Sequence, residues 1–229
     1  MNRPLRAAPA VGRRERKRQT IASHLAAVAF ALFEKQGYEA VTMEQIAAEA
    51  DVAKATLYNY FPVKEALVAR RFRDELVEGM AELAEALAAH KTFQSRMRFL
   101  LRESAAWHAA RRRYMSYYIG YLNSKSCLEE AKTREGTATS VTHRILSEMF
   151  RVAQEAGEIT RTVPADQLAW SFEFLLYGAI TRWLTHAESD LAKEFLLAFD
   201  LLLNGVAVVP KNLARGRLKS ASAGGARAK

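Results

Sequence analysis

The chain has 229 residues, half of them apolar and 26% charged, enough for one or two domains with a real core and too apolar for a disordered protein. Its single cysteine, Cys127, excludes an internal disulfide and fits a reducing cytoplasm. The net charge of +9 sits at the ends: seven Arg and Lys against Glu15 give residues 1–18 a charge of +6, six basic residues and no acid give residues 206–229 another +6, and the stretch between is −3. That distribution favours a polyanionic partner reached through the termini.

No apolar run reaches the ~18–20 residues of a membrane span, so no membrane partner is expected. Leu25–Phe33 follows arginines as a signal-peptide core would, but no small-residue cleavage site follows and its apolar residues keep helical spacing. Residues 1–12, with Pro4, Pro9 and Gly12, read as a disordered arm. Such an arm suits a DNA backbone or minor groove, or merely solubilises the chain. Arg13–Arg18 open a first helix that ends near Gln36, with Gly37 just past its end and Ile21, Leu25, Val28, Leu32 and Phe33 as its inner stripe.

Residues 42–64, TMEQIAAEADVAKATLYNYFPVK, read as two short helices, a tight turn between them and the start of a third. Thr42 and Gln45 have the spacing of a capping box. Asp51 and Val52 make the turn, the second helix runs from about Ala53 to Tyr60, and Pro62 stops it. With Leu57 pointing inward, Ala55 and Asn59 face outward and Thr56 and Tyr58 flank them. A helix bound for the major groove suits that pattern: Asn pairs bidentately with adenine, Thr and Tyr hydroxyls reach base edges or phosphates, and Ala leaves room for a thymine methyl. On spacing alone, a solvated surface hairpin fits as well.

The residues Thr56-Leu57-Tyr58-Asn59-Tyr60-Phe61-Pro62-Val63-Lys64-Glu65-Ala66-Leu67, with Thr42 at the head of the preceding helix and Ile46-Ala47 near its middle, resemble the signature of TetR-type transcriptional regulators. The likeness covers about the first third of the chain. It implies a DNA-binding face of Thr42, Lys54, Ala55, Thr56, Tyr58, Asn59, Tyr60 and Lys64, with Thr42, Tyr60 and Lys64 directed at phosphates. Three positions depart from the pattern. Asp51 stands where the family mostly has Gly, Ala53 replaces a Ser or Thr N-cap at a cost of around 1 kcal/mol, and Val63 replaces a small polar residue.

A long helix is expected from Lys64 to about His90, with Phe72, Leu76, Met80, Leu83 and Leu87 buried and no hinge between its far end and the reading helix. Thr92 caps a helix from Phe93 to about Ala110. Arg111–Arg113 interrupt, read as a solvated helix end with attraction of an acidic ligand as the alternative, before Tyr114–Leu122. Asn123, Ser124 and Ser126 form a loop, a helix follows from about Leu128 to Ala156, Val163-Pro164 opens another to about Ala187, and Ser189 or Asp190 caps a last one ending at Asn204-Gly205. Residues 206–229 read as a basic disordered tail.

The last two helices are apolar on more than one face. Leu168, Phe172, Leu175, Ala179 and Trp183, with Phe195, Phe199 and Leu202, are expected to pair with a second copy as a four-helix bundle, as the resemblance also implies; a large monomer core is the alternative. The resemblance implies an effector pocket in the body, and Met97, Trp107, His108, Tyr114, Tyr118, Met149, Phe174 and Tyr177 are candidates to line it, although ordinary core packing fits them too.

The expected fold is therefore all-α with about nine helices: a helix-turn-helix domain over 13–63 and an effector-binding and dimerisation domain over 64–205. The expected function is a ligand-responsive regulator, a repressor that binds an inverted repeat in double-stranded DNA as a homodimer in the cytoplasm. The alternative is a chromosome-associated protein that binds DNA without sequence preference through its tails. An enzyme finds no support: there is no H-E-x-x-H, G-x-S-x-G, C-x-x-C or glycine-rich phosphate loop, and the five histidines are scattered, so no catalytic residue, metal or cofactor is expected.

Overall fold

The computed structural model describes residues 12–124 and 141–205, and every regular element among them is an α-helix. They are α1 (Arg13–Gln36), α2 (Met43–Glu49), α3 (Lys54–Tyr60), α4 (Lys64–Glu78), α5 (Met80–Ala88), α6 (Phe93–Ala110), α7 (Arg112–Leu122), α8 (Val141–Glu155), α9 (Ala165–Thr185) and α10 (Leu191–Asn204). The N-terminal arm up to residue 11, the basic tail, Cys127 and the predicted helical stretch 128–140 lie outside the described residues.

The first three helices close on a small core of Leu25, Phe33, Ile46, Ala47, Leu57 and Phe61. The apolar spacing of α1 predicts this, since Leu25, Ala29, Leu32 and Phe33 share one face. Gly37 ends α1 at φ 87°, a conformation glycine adopts without a steric penalty. α4 extends the same core along α1 through Ala66, Leu67, Val68 and Phe72, and Arg70 locks the two helices by donating to the Gln19 carbonyl at 3.1 Å and the Ser23 hydroxyl at 2.7 Å.

The expected single helix from Lys64 to His90 is broken. Gly79 interrupts it with φ −77° and ψ −4°, although its amide still reaches the Glu75 carbonyl and its carbonyl accepts from Leu83, both at 3.0 Å. Glycine is among the weakest helix formers, and Gly79 is exposed, so no packing offsets that weakness. Beyond the break α5 has no fully buried residue. Met80, Leu83 and Leu87 are only half-buried, as is Leu76 before it. The expectation of one rigid rod into the reading head is corrected accordingly.

In the body, α9 packs between α8 and α10, α10 packs on α6, and α7 bridges to α4. Thr92 caps α6 with a reciprocal bond to Ser95, and the Glu158 carboxylate accepts from the Phe93 amide at 2.7 Å, tying the start of α6 to the α8–α9 connection. Asp190 caps α10 by accepting from the Ala192 and Lys193 amides.

Candidate nucleic-acid interface

The reading unit is held by its own backbone chemistry. The Thr42 hydroxyl accepts from the Gln45 amide at 3.2 Å, and the Gln45 side-chain carbonyl accepts from the Thr42 amide at 2.8 Å, the reciprocal cap that the sequence spacing predicts. At the other end of α2 the Val52 amide reaches the Ala47 carbonyl at 3.0 Å and the Asp51 amide reaches that of Ala48 at 3.2 Å. This is a Schellman turn, and it requires a left-handed residue at Asp51, whose φ is 52°. Asp adopts that conformation more readily than most residues, which is how the turn survives without the usual glycine.

α3 begins at Ala53, which gives no side-chain cap, as its methyl group dictates. Leu57 is completely buried and anchors the helix from behind. Lys54, Ala55, Tyr58 and Asn59 are exposed together on the opposite side, and Thr56 is half-buried on the flank. Lys54 forms an ion pair with Glu44 of α2 that holds the Glu44 carboxyl below its usual range and raises the Lys54 ammonium, and Lys54 also lies 5.8 Å from the centre of the Tyr58 ring. Nothing in the sequence signals the Glu44 partner, since the pair forms only once the turn folds α3 across α2. Tyr60 is half-buried with the Arg18 guanidinium 6.0 Å over its ring, which brings the basic start of α1 beside the reading helix.

Lys64 does something the sequence does not suggest. Its ammonium donates to the Tyr38 and Val41 carbonyls at 2.7 and 2.9 Å and lies 4.2 Å from the centre of the Tyr38 ring. It thus pins the α1–α2 connection, and two of its three N–H groups are committed there rather than left for a phosphate.

Residues 25–70 match the family model for bacterial regulatory proteins of the tetR family. The chain is 30% identical over 206 residues to the HTH-type transcriptional repressor KstR of Mycolicibacterium smegmatis, covering 83% of this chain and 88% of that protein. The chain belongs to the TetR family. Like KstR, this TetR-family chain is a helix-turn-helix transcriptional regulator. The fold agrees with a solved TetR-family repressor, FadR of Thermus thermophilus in complex with lauroyl-CoA (TM-score 0.71, 22% identity, 82% of this chain and 96% of that one). It also agrees with FadR of Bacillus subtilis in complex with stearoyl-CoA (TM-score 0.58, 17% identity, 80% and 98%).

Of the candidate effector residues, Trp107, His108 and Tyr118 lie close together, around the Phe72 ring or against it through Trp107. Met97 is fully buried, and Trp107 and Tyr118 pack edge-on against Phe72 at 5.0 and 5.1 Å. His108 is bonded to the Ser104 carbonyl at 2.7 Å. Desolvation lowers its pKa, the Arg111 charge adds to that, and the backbone bond opposes it. Tyr114 donates its hydroxyl to Glu34 at 2.9 Å, and its pKa is pushed up to about 12, first by burial and then by that carboxylate. Met149 is half-buried. Phe174 must be corrected, since it is 72% exposed on the outer side of α9, and Tyr177 is 37% exposed with its hydroxyl accepting from the Asn123 side chain at the end of α7. Of the eight, Tyr114 lines a cleft of about 450 Å³ between α1, α4 and the α6–α7 junction, with Phe30, Glu34, Arg71, Glu75 and Arg113 among its walls. A second cleft of about 350 Å³ lies where α7 meets the start of α4, lined by Val63, Glu65, Tyr117 and Tyr121.

The expected pairing surface is corrected too. Phe172, Ala179, Trp183, Phe195 and Phe199 are buried inside the protomer, and Leu168 and Leu202 are half-buried. Only Leu175 of that set is exposed. α9 is apolar on two faces, as expected, but the stripe through Phe172 and Trp183 packs against α8 and α10. The stripe left outside is Trp170, Phe174 and Tyr177, joined by Leu197 and Leu201 of α10. The apolar spacing points to a second stripe through Phe174, Tyr177, Ile180 and Leu184, of which Phe174 and Tyr177 are exposed and Ile180 is buried, and it has no means of choosing which face turns inward.

Proposed function

We propose that this protein is a repressor that binds an inverted-repeat operator as a homodimer and is released when a small-molecule effector occupies its body. The observation that carries this reading is the exposed face of α3: Ala55, Tyr58 and Asn59 stand outward together, with Leu57 buried behind them and a capped, turn-locked α2 bracing them. That surface has the size and chemistry of a major-groove reading helix. The outward apolar stripe of Trp170, Phe174, Tyr177, Leu197 and Leu201 supports pairing of two copies. A two-fold dimer carries two reading helices and so calls for two half-sites related by inversion.

The FadR structures hold lauroyl-CoA and stearoyl-CoA, so acyl-CoA thioesters are the first effector class to test. The cytoplasm, where DNA and such thioesters meet, is the proposed compartment. Selection from random double-stranded DNA tests the reading. The enriched sequence is expected to be an inverted repeat. Asn59→Ala and Tyr58→Ala are each expected to lose about tenfold or more of the preference over single-base variants, in line with ~1–3 kcal/mol per good base contact, while the dimer persists. Equal affinity for enriched and random DNA would defeat sequence-specific reading and leave a DNA binder acting through charge.

A further inference from the structure

Three consecutive arginines at the α6–α7 break each engage a different helix. Arg111 donates to the Glu75 carboxylate of α4 at 2.6 Å and stacks 4.4 Å over Trp107. Arg112 donates to the Trp183 carbonyl, in the last turn of α9, at 2.9 Å and stacks 4.2 Å over the Trp183 ring. Arg113 forms an ion pair with Glu34 near the end of α1 and lies 4.8 Å from the centre of the Tyr114 ring. The same Glu34 carboxylate accepts from the Tyr114 hydroxyl, and one turn further along α7 the Tyr117 hydroxyl donates to Glu39 while its ring stacks on Tyr38 at 3.9 Å. α7 therefore grips the end of α1 at two carboxylates and one ring, while its first residue is tied to the end of the helix that carries the outward apolar stripe.

We propose that this three-arginine joint, through the contacts of Arg113, Tyr114 and Tyr117 with Glu34 and Glu39, sets the pose of the reading head on the body, so that these are positioning residues for operator binding. The covalent route between head and body runs along α4, which ends at Gly79. α4 packs on both α1 and α7, and the direct grip of α7 on the end of α1 and the residues after it adds a second hold on the head beside that packing. The chemistry suits a strut that can be released. Arg113 and Glu34 are 60% and 52% exposed, so their attraction is screened and adds little to the stability of the fold. Their geometry still selects one head orientation, because the Tyr114 ring beneath them is buried and fixed. Arg112 makes the joint sensitive to the body: a shift of the end of α9 moves the start of α7, and α7 carries the end of α1 with it.

This inference rests on the proposed operator binding, so its test has one arm on DNA and one without it. On DNA, Glu34→Gln and the pair Arg113→Gln with Tyr114→Phe are each expected to weaken binding to the two-half-site operator at least tenfold and to flatten the preference for one half-site spacing. Affinity for a single half-site is expected to stay within twofold of wild type. The charge swap Glu34→Arg with Arg113→Glu is expected to restore part of the spacing preference. Loss of single and double half-site binding together with a fall in Tm would mark these residues as merely structural and overturn the proposal, as would an unchanged spacing profile. Without DNA, spin labels on Glu49→Cys and Glu188→Cys, both exposed positions, in a Cys127→Ser background measure the head-to-body distance. A broadened distance distribution in Arg113→Gln with Tyr114→Phe is expected, and an unchanged narrow one would overturn the proposal. If the wild-type chain selects no inverted repeat, the operator reading fails, while the spin-label distances still decide the joint.

Discussion

Lys64 stands at the first position of α4, where a cation faces the positive end of the helix dipole and draws nothing from it. What holds it there is the pair of carbonyls of Tyr38 and Val41 and the face of the Tyr38 ring. Hydrogen bonds from a charged donor contribute about 1.5–3 kcal/mol, so Lys64→Ala is expected to lower the stability of the head by about 2–3 kcal/mol by thermal or urea unfolding. The slope of log K against log salt on DNA is expected to match wild type, because two of the three ammonium N–H groups already serve the Tyr38 and Val41 carbonyls. A slope flattened by about one, with Tm unchanged, would restore the phosphate role. The contrast with neighbouring residues shows what a sequence can disclose. The Thr42–Gln45 box, the strained Asp51 and the uncapped start at Ala53 are legible because each depends on residues no more than a few positions away. The carbonyl partners of Lys64 lie 26 and 23 positions back, and no local pattern points to them. The arginines at 111–113 are the same case: as a sequence they look like a solvated helix end, and only the packed helices assign each its partner.

Helix ends were the most readable elements, because the residues that stop a helix act locally: Gly37, Thr92, Asp190 and Gly205 all mark ends where the structure has them. Helix faces were less so. The apolar spacing through Leu76, Met80 and Leu83 runs unbroken across Gly79, so the break leaves no trace in the pattern, and α9 carries large apolar residues on both its buried and its exposed side. Between α8 and α9 lies a feature that the scatter of histidines conceals. His143 is 2% exposed, with Nδ1 2.7 Å from Glu173 and Nε2 2.9 Å from Asp166. Two ionised carboxylates facing both ring nitrogens favour a ring that donates from both, which is the imidazolium. Desolvation alone would lower its pKa, but the hydrogen bonds to Asp166 and Glu173 and the charges of both outweigh it, and the pKa is raised. A histidine held above its unfolded value of about 6.5 contributes its full stabilisation below that pH and loses it as pH rises through the folded value. The Tm advantage of wild type over His143→Gln is therefore expected to be largest near pH 6 and to shrink as pH rises above about 6.5. An advantage that stays flat from pH 6 to 9 would rule out a charged His143.

At the scale of the whole molecule, the two faces of α9 offer a paired test. Phe172 is fully buried between Phe150 and Phe199, at 6.0 and 5.9 Å, and Phe174, two residues on, is 72% exposed. Truncating a buried Phe costs about 3–5 kcal/mol, and placing a carboxylate there costs more, a large share of the ~5–15 kcal/mol that holds a typical domain together. Phe172→Asp is thus expected to leave little folded protein. Phe174 has almost no contact to lose within its own protomer. If its stripe pairs with a second copy, Phe174→Asp puts an unpaired charge into that interface and is expected to yield folded monomers by sedimentation, with a Tm shift that depends on protein concentration in wild type and not in the variant. Such monomers keep the reading face of α3 intact. They are expected to bind a single half-site as wild type does and the full inverted repeat hardly better, since only a joined pair gains the effective concentration of the second half-site. A Phe174→Asp protein that stays dimeric would move the interface to another surface and sever the outward stripe from operator recognition.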